Sequence, residues 1–139
     1  LGCREVLVLL LDTHILVWLD QGSELLGVRA RRAIEAAYLR EEVGIAAVSF
    51  WEIGRLIAED RLEFGGVLPE WRVALLNSGF IEVAPDGAIA LMAAGLKNFP
   101  GDPVDRLIAA TTLAEEGRLV TADDRLLGHR SVRTINGMN

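Results

Sequence analysis

Val6-Leu-Val-Leu-Leu-Leu-Asp12-Thr13-His14 is the stretch on which the reading of this 139-residue chain turns. Six aliphatic residues in succession, 6–11, have the length and side-chain type of a strand buried on both faces. Such a strand belongs inside a sheet covered by helices. This one runs straight into an acid. A bare carboxylate is costly to take out of water, so Asp12 must hold a proton or meet a partner at the strand's end.

The rest of the chain supplies the layers around that strand. Apolar residues recur at helical spacing over 23–42 (Leu26, Ala30, Ile34, Ala37, Tyr38), with Gly44 as the stop. A short strand is expected at 45–48 and a helix at 49–60, with Ile53, Leu56 and Ile57 inward. Further helices are expected at 69–77 and 86–96, a strand at 80–83, and a turn at Asn98-Phe-Pro-Gly101. The clearest helix is 103–116, closed by Gly117. A strand at 118–122, a short helix at 124–127 and a last strand at 132–135 complete the chain. Strands alternating with helices predict an α/β fold with a mostly parallel central sheet covered on both faces. No linker, repeat or low-complexity tract divides residues 1–139, so one domain is expected.

Composition narrows the function. Hydrophobic residues make up 51% of the chain and mean hydropathy is +0.31, rich for a small domain and a hint that a partner covers part of its surface. Cys3 is the only cysteine, which rules out an internal disulfide and fits a reducing cytoplasm. No apolar run reaches the roughly 18 residues of a spanning helix. Asp12 and His14 interrupt the N-terminal apolar run and no small-residue cleavage site follows, so a signal peptide is not expected. A net charge of −6 argues against a coat-like nucleic-acid binder. It leaves open an enzyme that meets phosphate through a metal. Lys97 is the sole lysine; the other basic residues are arginines, suited to bidentate contacts with phosphate or carboxylate.

Ligands of open parallel sheets sit beyond the carboxyl ends of the strands. Asp12 and Asp123 lie at two such ends. Glu52 and Asp105 lie in first turns of helices that run antiparallel to the strands, so their N-termini share that edge. Each acid has a local explanation. Ser49-Phe-Trp-Glu52 and Asp102-Pro-Val-Asp105 read as capping boxes, the latter with Asp102 as cap, and Asp12 or Asp123 could each cap a short helix. Capping does not explain why four acids converge. Convergence must be relieved by protonation, by an intruding basic residue or by a divalent cation. An all-oxygen site suits Mg²⁺ or Mn²⁺; zinc is disfavoured without a cysteine–histidine cluster, and His14 and His129 read as structural or surface residues. A cation there would generate a nucleophile from water and stabilise charge on a phosphoryl oxygen.

The strings LLLDTHILVWL at 9–19, SFWEI at 49–53, GDPVDRLIAA at 101–110 and LVTADDRLL at 119–127 resemble PIN-domain ribonucleases, most of all the VapC-type toxins of type II toxin–antitoxin pairs. The resemblance spans essentially the whole chain. It implies a three-layer α/β/α sandwich and an Mg²⁺-dependent endoribonuclease leaving 5′-phosphate and 3′-hydroxyl ends. It implies Asp12, Glu52, Asp105 and Asp123 as catalytic metal-binding acids, with Thr13, Thr121 and Arg106 in support. It also implies a homodimer silenced by a cognate antitoxin. Many relatives carry a histidine shortly before Asp-Pro-x-Asp-Arg, where this chain has Asn98-Phe-Pro-Gly-Asp102. Trp18, Trp51 and Trp71 are either core residues or groove residues for the antitoxin, and Arg29, Arg31 and Arg32 either guide RNA or line a solvated helix face. Two other classes compete: a catalytically inactive PIN-like module that holds RNA or a protein, and a signalling receiver domain. The receiver needs an acidic pair after its first strand and a late lysine; here one acid follows that strand, and Lys97 precedes the helix at 103–116.

Overall fold

The computed structural model describes residues 8–139; the first part of the strand expected at 6–11 lies outside them. In chain order the elements are β1 (Leu9–Leu11), α1 (Thr13–Gln21), α2 (Val28–Leu39), β2 (Val43–Ala46), α3 (Ala47–Ala58), α4 (Leu68–Asn77), β3 (Ile81–Val83), α5 (Gly87–Gly95), α6 (Pro103–Ala114), β4 (Arg118–Thr121) and β5 (Thr134–Asn136). The five strands form one sheet in the order β3-β2-β1-β4-β5, parallel throughout.

The aliphatic run occupies the central strand, with Leu10 pairing Gly44 on one side and Leu119 on the other. Strand alternation then builds two cores. Leu9 and Leu11 face Ile15, Ile34 and Ile53 of α1, α2 and α3, whereas Leu10 faces Val104, Ile108 and Ala109 of α6. A continuous apolar run is what a strand with helices on both faces requires. The result is the three-layer α/β/α sandwich that the sequence implied, with α5 packed against α6 through Ile89, Ala93 and Ala110.

Several boundaries differ from expectation, each for a local reason. Gly44 lies inside β2 instead of ending a helix; a Cβ there would stand 2.7 Å from the Leu10 side chain, so only glycine lets β2 approach β1 at this point. The helix expected over 23–42 shortens to α2, because Leu25 N–H turns back to the Ser23 hydroxyl before the helix starts and Glu41 takes a positive φ of 57° after it ends. Helix α3 begins at Ala47, capped by no side chain, so Ser49 is an interior helical residue and the expected Ser49–Glu52 capping box is absent. The segment at 124–127 is a turn, held by Asp123 Oδ1 accepting from Arg125 N at 2.9 Å. Helix α1, not expected from the pattern, follows β1 directly and turns at Gly22 with a positive φ.

Candidate functional site

A cleft of about 460 Å³ opens at the carboxyl edge of the sheet, and Asp12, Glu52, Asp105 and Asp123 all line it. The first joins β1 to α1, the second projects from α3, the third from the first turn of α6, and the fourth follows β4. None points to the opposite side of the molecule.

Asp12 is 6% exposed and both its oxygens are engaged. Oδ1 accepts from Thr13 N at 2.9 Å, which caps α1, and Oδ2 accepts from the buried Thr121 hydroxyl at 2.7 Å. Burial pushes its carboxyl above the ordinary value, against the lowering effect of these hydrogen bonds. Thr121 Oγ1 in turn accepts from Asp123 N at 3.1 Å, so one hydroxyl ties together the acids that end β1 and β4. Thr13 acts one step back: its hydroxyl donates to Ser49 at 3.1 Å and locks α1 to α3.

Asp102 and Asp105 form the expected capping box on α6, with Asp105 N donating to Asp102 Oδ1 at 2.9 Å and Asp102 N to Asp105 Oδ2 at 3.2 Å. Capping and convergence therefore coexist in the same carboxylate. Burial first, then Asp102, and more weakly Asp12 and Glu52, push the Asp105 carboxyl from 3.8 up to about 6, although its backbone hydrogen bond opposes this. Gly101 makes room for this side chain; a Cβ there would overlap the Asp105 Cβ.

Glu52 is 9% exposed, lines the cleft, and has no hydrogen bond or ion pair with any described residue. Its carboxylate oxygens open onto the cleft, free to take a ligand there.

The sequence reading missed three cations. Arg125 Nη2 reaches Asp123 at 2.7 Å and Asp105 at 3.4 Å, while Nη1 donates to Pro100 O at 3.2 Å. Hydrogen bonds from Arg125 hold the Asp123 carboxyl below its ordinary value. The longer contact to Asp105 leaves that carboxyl raised. Arg55 and Arg61 line the same cleft, as do His14 and Trp18. Of the three ways to relieve crowded acids, the fold thus displays two: a carboxyl that keeps its proton to higher pH, and an intruding guanidinium.

The donor set suits a hard divalent cation: carboxylate oxygens only, one of them unpartnered. Among the described residues, no three acidic, histidine or cysteine side chains already close around one point as a cage. Arg125 stands between Asp105 and Asp123, so a cation bound by both has to take its place.

Comparison with known proteins supplies the lineage. The PIN domain family matches residues 9–130. This chain belongs to the PIN-domain family. Ribonuclease VapC22 of Mycobacterium tuberculosis is 35% identical to it over 127 residues, 91% of this chain and 95% of that protein. Two solved structures share its fold. VapBC2 from Rickettsia felis, bound to a DNA fragment from its promoter, superposes with a TM-score of 0.69 at 14% identity over 94% of this chain and 98% of that one. A toxin–antitoxin complex from Klebsiella pneumoniae gives 0.65 at 21% identity, over 92% and 96%.

In this PIN domain the remaining expected residues divide. Arg106 turns away from the cleft: Nε donates to Ala93 O at 3.1 Å and Nη2 to Leu96 O at 2.7 Å, anchoring the end of α5. These bonds fit the structural alternative for Arg106. His129 is likewise structural, paired with Asn98 O at 3.0 Å and accepting from Ser131 N. Asp124 is exposed, and Arg29, Arg31 and Arg32 lie on α2, outside the residues that line the cleft. Trp18 and Trp71 pack against the core, whereas Trp51 is 58% exposed. The helical spacing Glu52–Arg55 was a usable signal for Arg55; Arg125 depends on a turn that the sequence pattern presented as helix.

Proposed function

We propose that this PIN domain is an endoribonuclease toxin of the VapC type, dependent on a divalent cation, Mg²⁺ with Mn²⁺ as a substitute, and silenced by a cognate antitoxin. One observation carries the reading: acids from β1, α3, α6 and β4, distant in sequence, line a single cleft. The likeness to a relative named as a ribonuclease supports RNA as the substrate. The toxin–antitoxin complexes among its structural neighbours agree with an antitoxin partner.

Asp12, Glu52, Asp105 and Asp123 would hold the cation. When bound, it would neutralise charge at the scissile phosphoryl group and acidify an attacking water. The chain's own residues prepare the ground. Thr121 and the Thr13 amide fix both oxygens of Asp12. Gly101 and the α6 cap fix Asp105. Arg55 and Arg61 set cationic groups in the cleft wall, where they attract backbone phosphates. Arg125, paired here with Asp105 and Asp123, would have to give up these acids to a cation, and its planar fork would suit a phosphate oxygen pair.

Apolar side chains left at the surface, including Leu39, Leu91 and Met92, and an apolar groove lined by Leu19, Ile34, Tyr38, Leu39 and Phe80 support protein partners. We assign these to the antitoxin and to a second copy of the chain. No helix among the described residues is long and apolar enough to cross a membrane, and the reading carries a cytoplasmic site of action with it.

The test is cleavage of RNA in Mg²⁺ by the parent, Asp12→Asn and Asp105→Asn. Each substitution should slow cleavage by roughly a hundredfold or more, the scale of losing one charge-stabilising group, and EDTA should abolish it. Either variant matching the parent would defeat the assignment. The ion pairs of Arg125 favour one second reading, a module that binds RNA without cutting it. Turnover of any RNA in Mn²⁺ decides against that alternative.

A further inference from the structure

Trp51 has no place in the hydrophobic clusters of this fold. More than half of its surface is in solvent, although it sits one residue before Glu52 on α3. Exposed large aromatics are the informative exceptions to burial. The Arg55 guanidinium lies over the indole ring, 5.2 Å from the centroid. Arg55 follows Trp51 by four residues and Glu52 by three, so on the helix surface it neighbours both. It also lines the carboxylate cleft, together with Arg61. Among the described residues its acidic partner is Glu59, 3.8 Å away, which leaves most of its donors unused.

We propose that Trp51, with Arg55 over its ring, is a stacking platform for an unpaired base of the RNA strand whose phosphodiester enters the carboxylate cleft. The inference rests on the nuclease reading above and adds the side chain that would receive a base of the bound strand. A base reaches an exposed indole only when it is outside a duplex. Every base has a π-face, so such a platform accepts single strands with little regard to sequence. Arg55 contributes by offering donors to the phosphate between base and cleft. The surroundings favour RNA over a protein anchor. The indole's neighbours three and four residues away on α3 are Ala47, Val48, Gly54 and Arg55, of which Arg55 is the exposed one, so the ring stands beside a cation, whereas an apolar peptide needs an apolar pocket.

The experiment measures binding of a short, unstructured, fluorescently labelled RNA by anisotropy in EDTA, where turnover does not intervene, and steady-state cleavage in Mg²⁺. Trp51→Ala should weaken binding by about tenfold or more, the scale of one lost base–aromatic stack, and raise KM with little change in kcat. Trp51→Phe should recover most of the loss, a rescue that a merely structural role does not predict. Arg55→Ala should weaken binding and flatten its salt dependence. Thermal melts of the Trp51 variants should match the parent. Parent-like RNA binding by Trp51→Ala overturns the platform while leaving the nuclease reading intact. So does a Trp51→Ala protein that loses only its antitoxin. A parent that binds RNA but never cleaves it, with binding lost in Trp51→Ala, sustains the platform and overturns the nuclease. A parent that neither binds single-stranded RNA in EDTA nor cleaves it in Mg²⁺ or Mn²⁺ overturns both.

Discussion

Replacing Asp105 with asparagine should stabilise the cation-free protein, and only above about pH 5. In the folded chain, burial and the neighbouring acids push this carboxyl from 3.8 up to about 6. A carboxyl raised on folding binds its proton more tightly in the native state. Between about pH 4 and 6 the native state therefore holds more protons than the unfolded chain, and stability falls as pH rises through that window. At about 1.4 kcal/mol for each step in pKa, the ionised group costs the fold about 3 kcal/mol at pH 7.5. Asp105 faces a cleft open to solvent, so screening lowers this cost. Asparagine keeps an acceptor for Asp102 N and loses the 3.4 Å contact with the exposed Arg125, which reduces the net gain to about 2 kcal/mol. Urea unfolding of both proteins in EDTA from pH 4 to 8 is the assay. The variant should match the parent near pH 4, pull ahead through pH 6 and hold a constant lead above it. Excess Mg²⁺ should then stabilise the parent more than the variant, because a ligand bound by the native state alone raises stability by mass action. A variant less stable than the parent at pH 7.5 in EDTA, with no pH dependence in the difference, would refute the reasoning and leave Asp105 as a helix cap alone.

Three other perturbations probe the supports of the site. Thr121→Val deletes the hydroxyl that donates to Asp12 Oδ2 in a buried setting, so stability should drop by about 1–3 kcal/mol and cation affinity should fall; calorimetric titration with Mn²⁺ checks the second effect. Gly101→Ala places a Cβ against Asp105 and 2.9 Å from the Phe99 ring, and should cost about 1–3 kcal/mol of stability while lowering cleavage more than a surface change does, as denaturant melts and RNA turnover will read. Arg125→Ala removes the guanidinium that pairs with Asp105 and Asp123, so cations should bind more tightly, measured as a lower midpoint in a terbium luminescence titration; an unchanged midpoint would mean that the ion pairs do not compete with metal.

Much of the fold was legible because its strongest signals are local. The aliphatic run ending at Asp12 has the length and side chains of a central parallel strand, and Asp102-Pro103 marks the start of α6 through its cap and its proline. Helix α1 was hidden for a physical reason. Thr13, Ile15, Leu16 and Val17 are all buried, and the exposed His14 and Asp20 are too few polar positions to mark a helical period. The passage from β2 to α3 carries no turn residue and no side-chain cap, which is why Ser49 looked like the start of a helix and is in fact inside it. The acids of the cleft were legible because each is tied to the end of a strand or to the first half of a helix, and parallel topology carries all such ends to one edge. The cations and the exposed indole were not. Arg125 enters the cleft through an Asx-type turn, and the exposure of Trp51 depends on which face of α3 the sheet covers.

The central claim is that four acids share a divalent cation, and anomalous diffraction from crystals grown with Mn²⁺ tests it most directly. The account predicts an anomalous peak in the cleft, within about 2.4 Å of carboxylate oxygens from at least two of Asp12, Glu52, Asp105 and Asp123, with Arg125 withdrawn from Asp105. A cleft without a peak, and Arg125 still bridging Asp105 and Asp123, would contradict it.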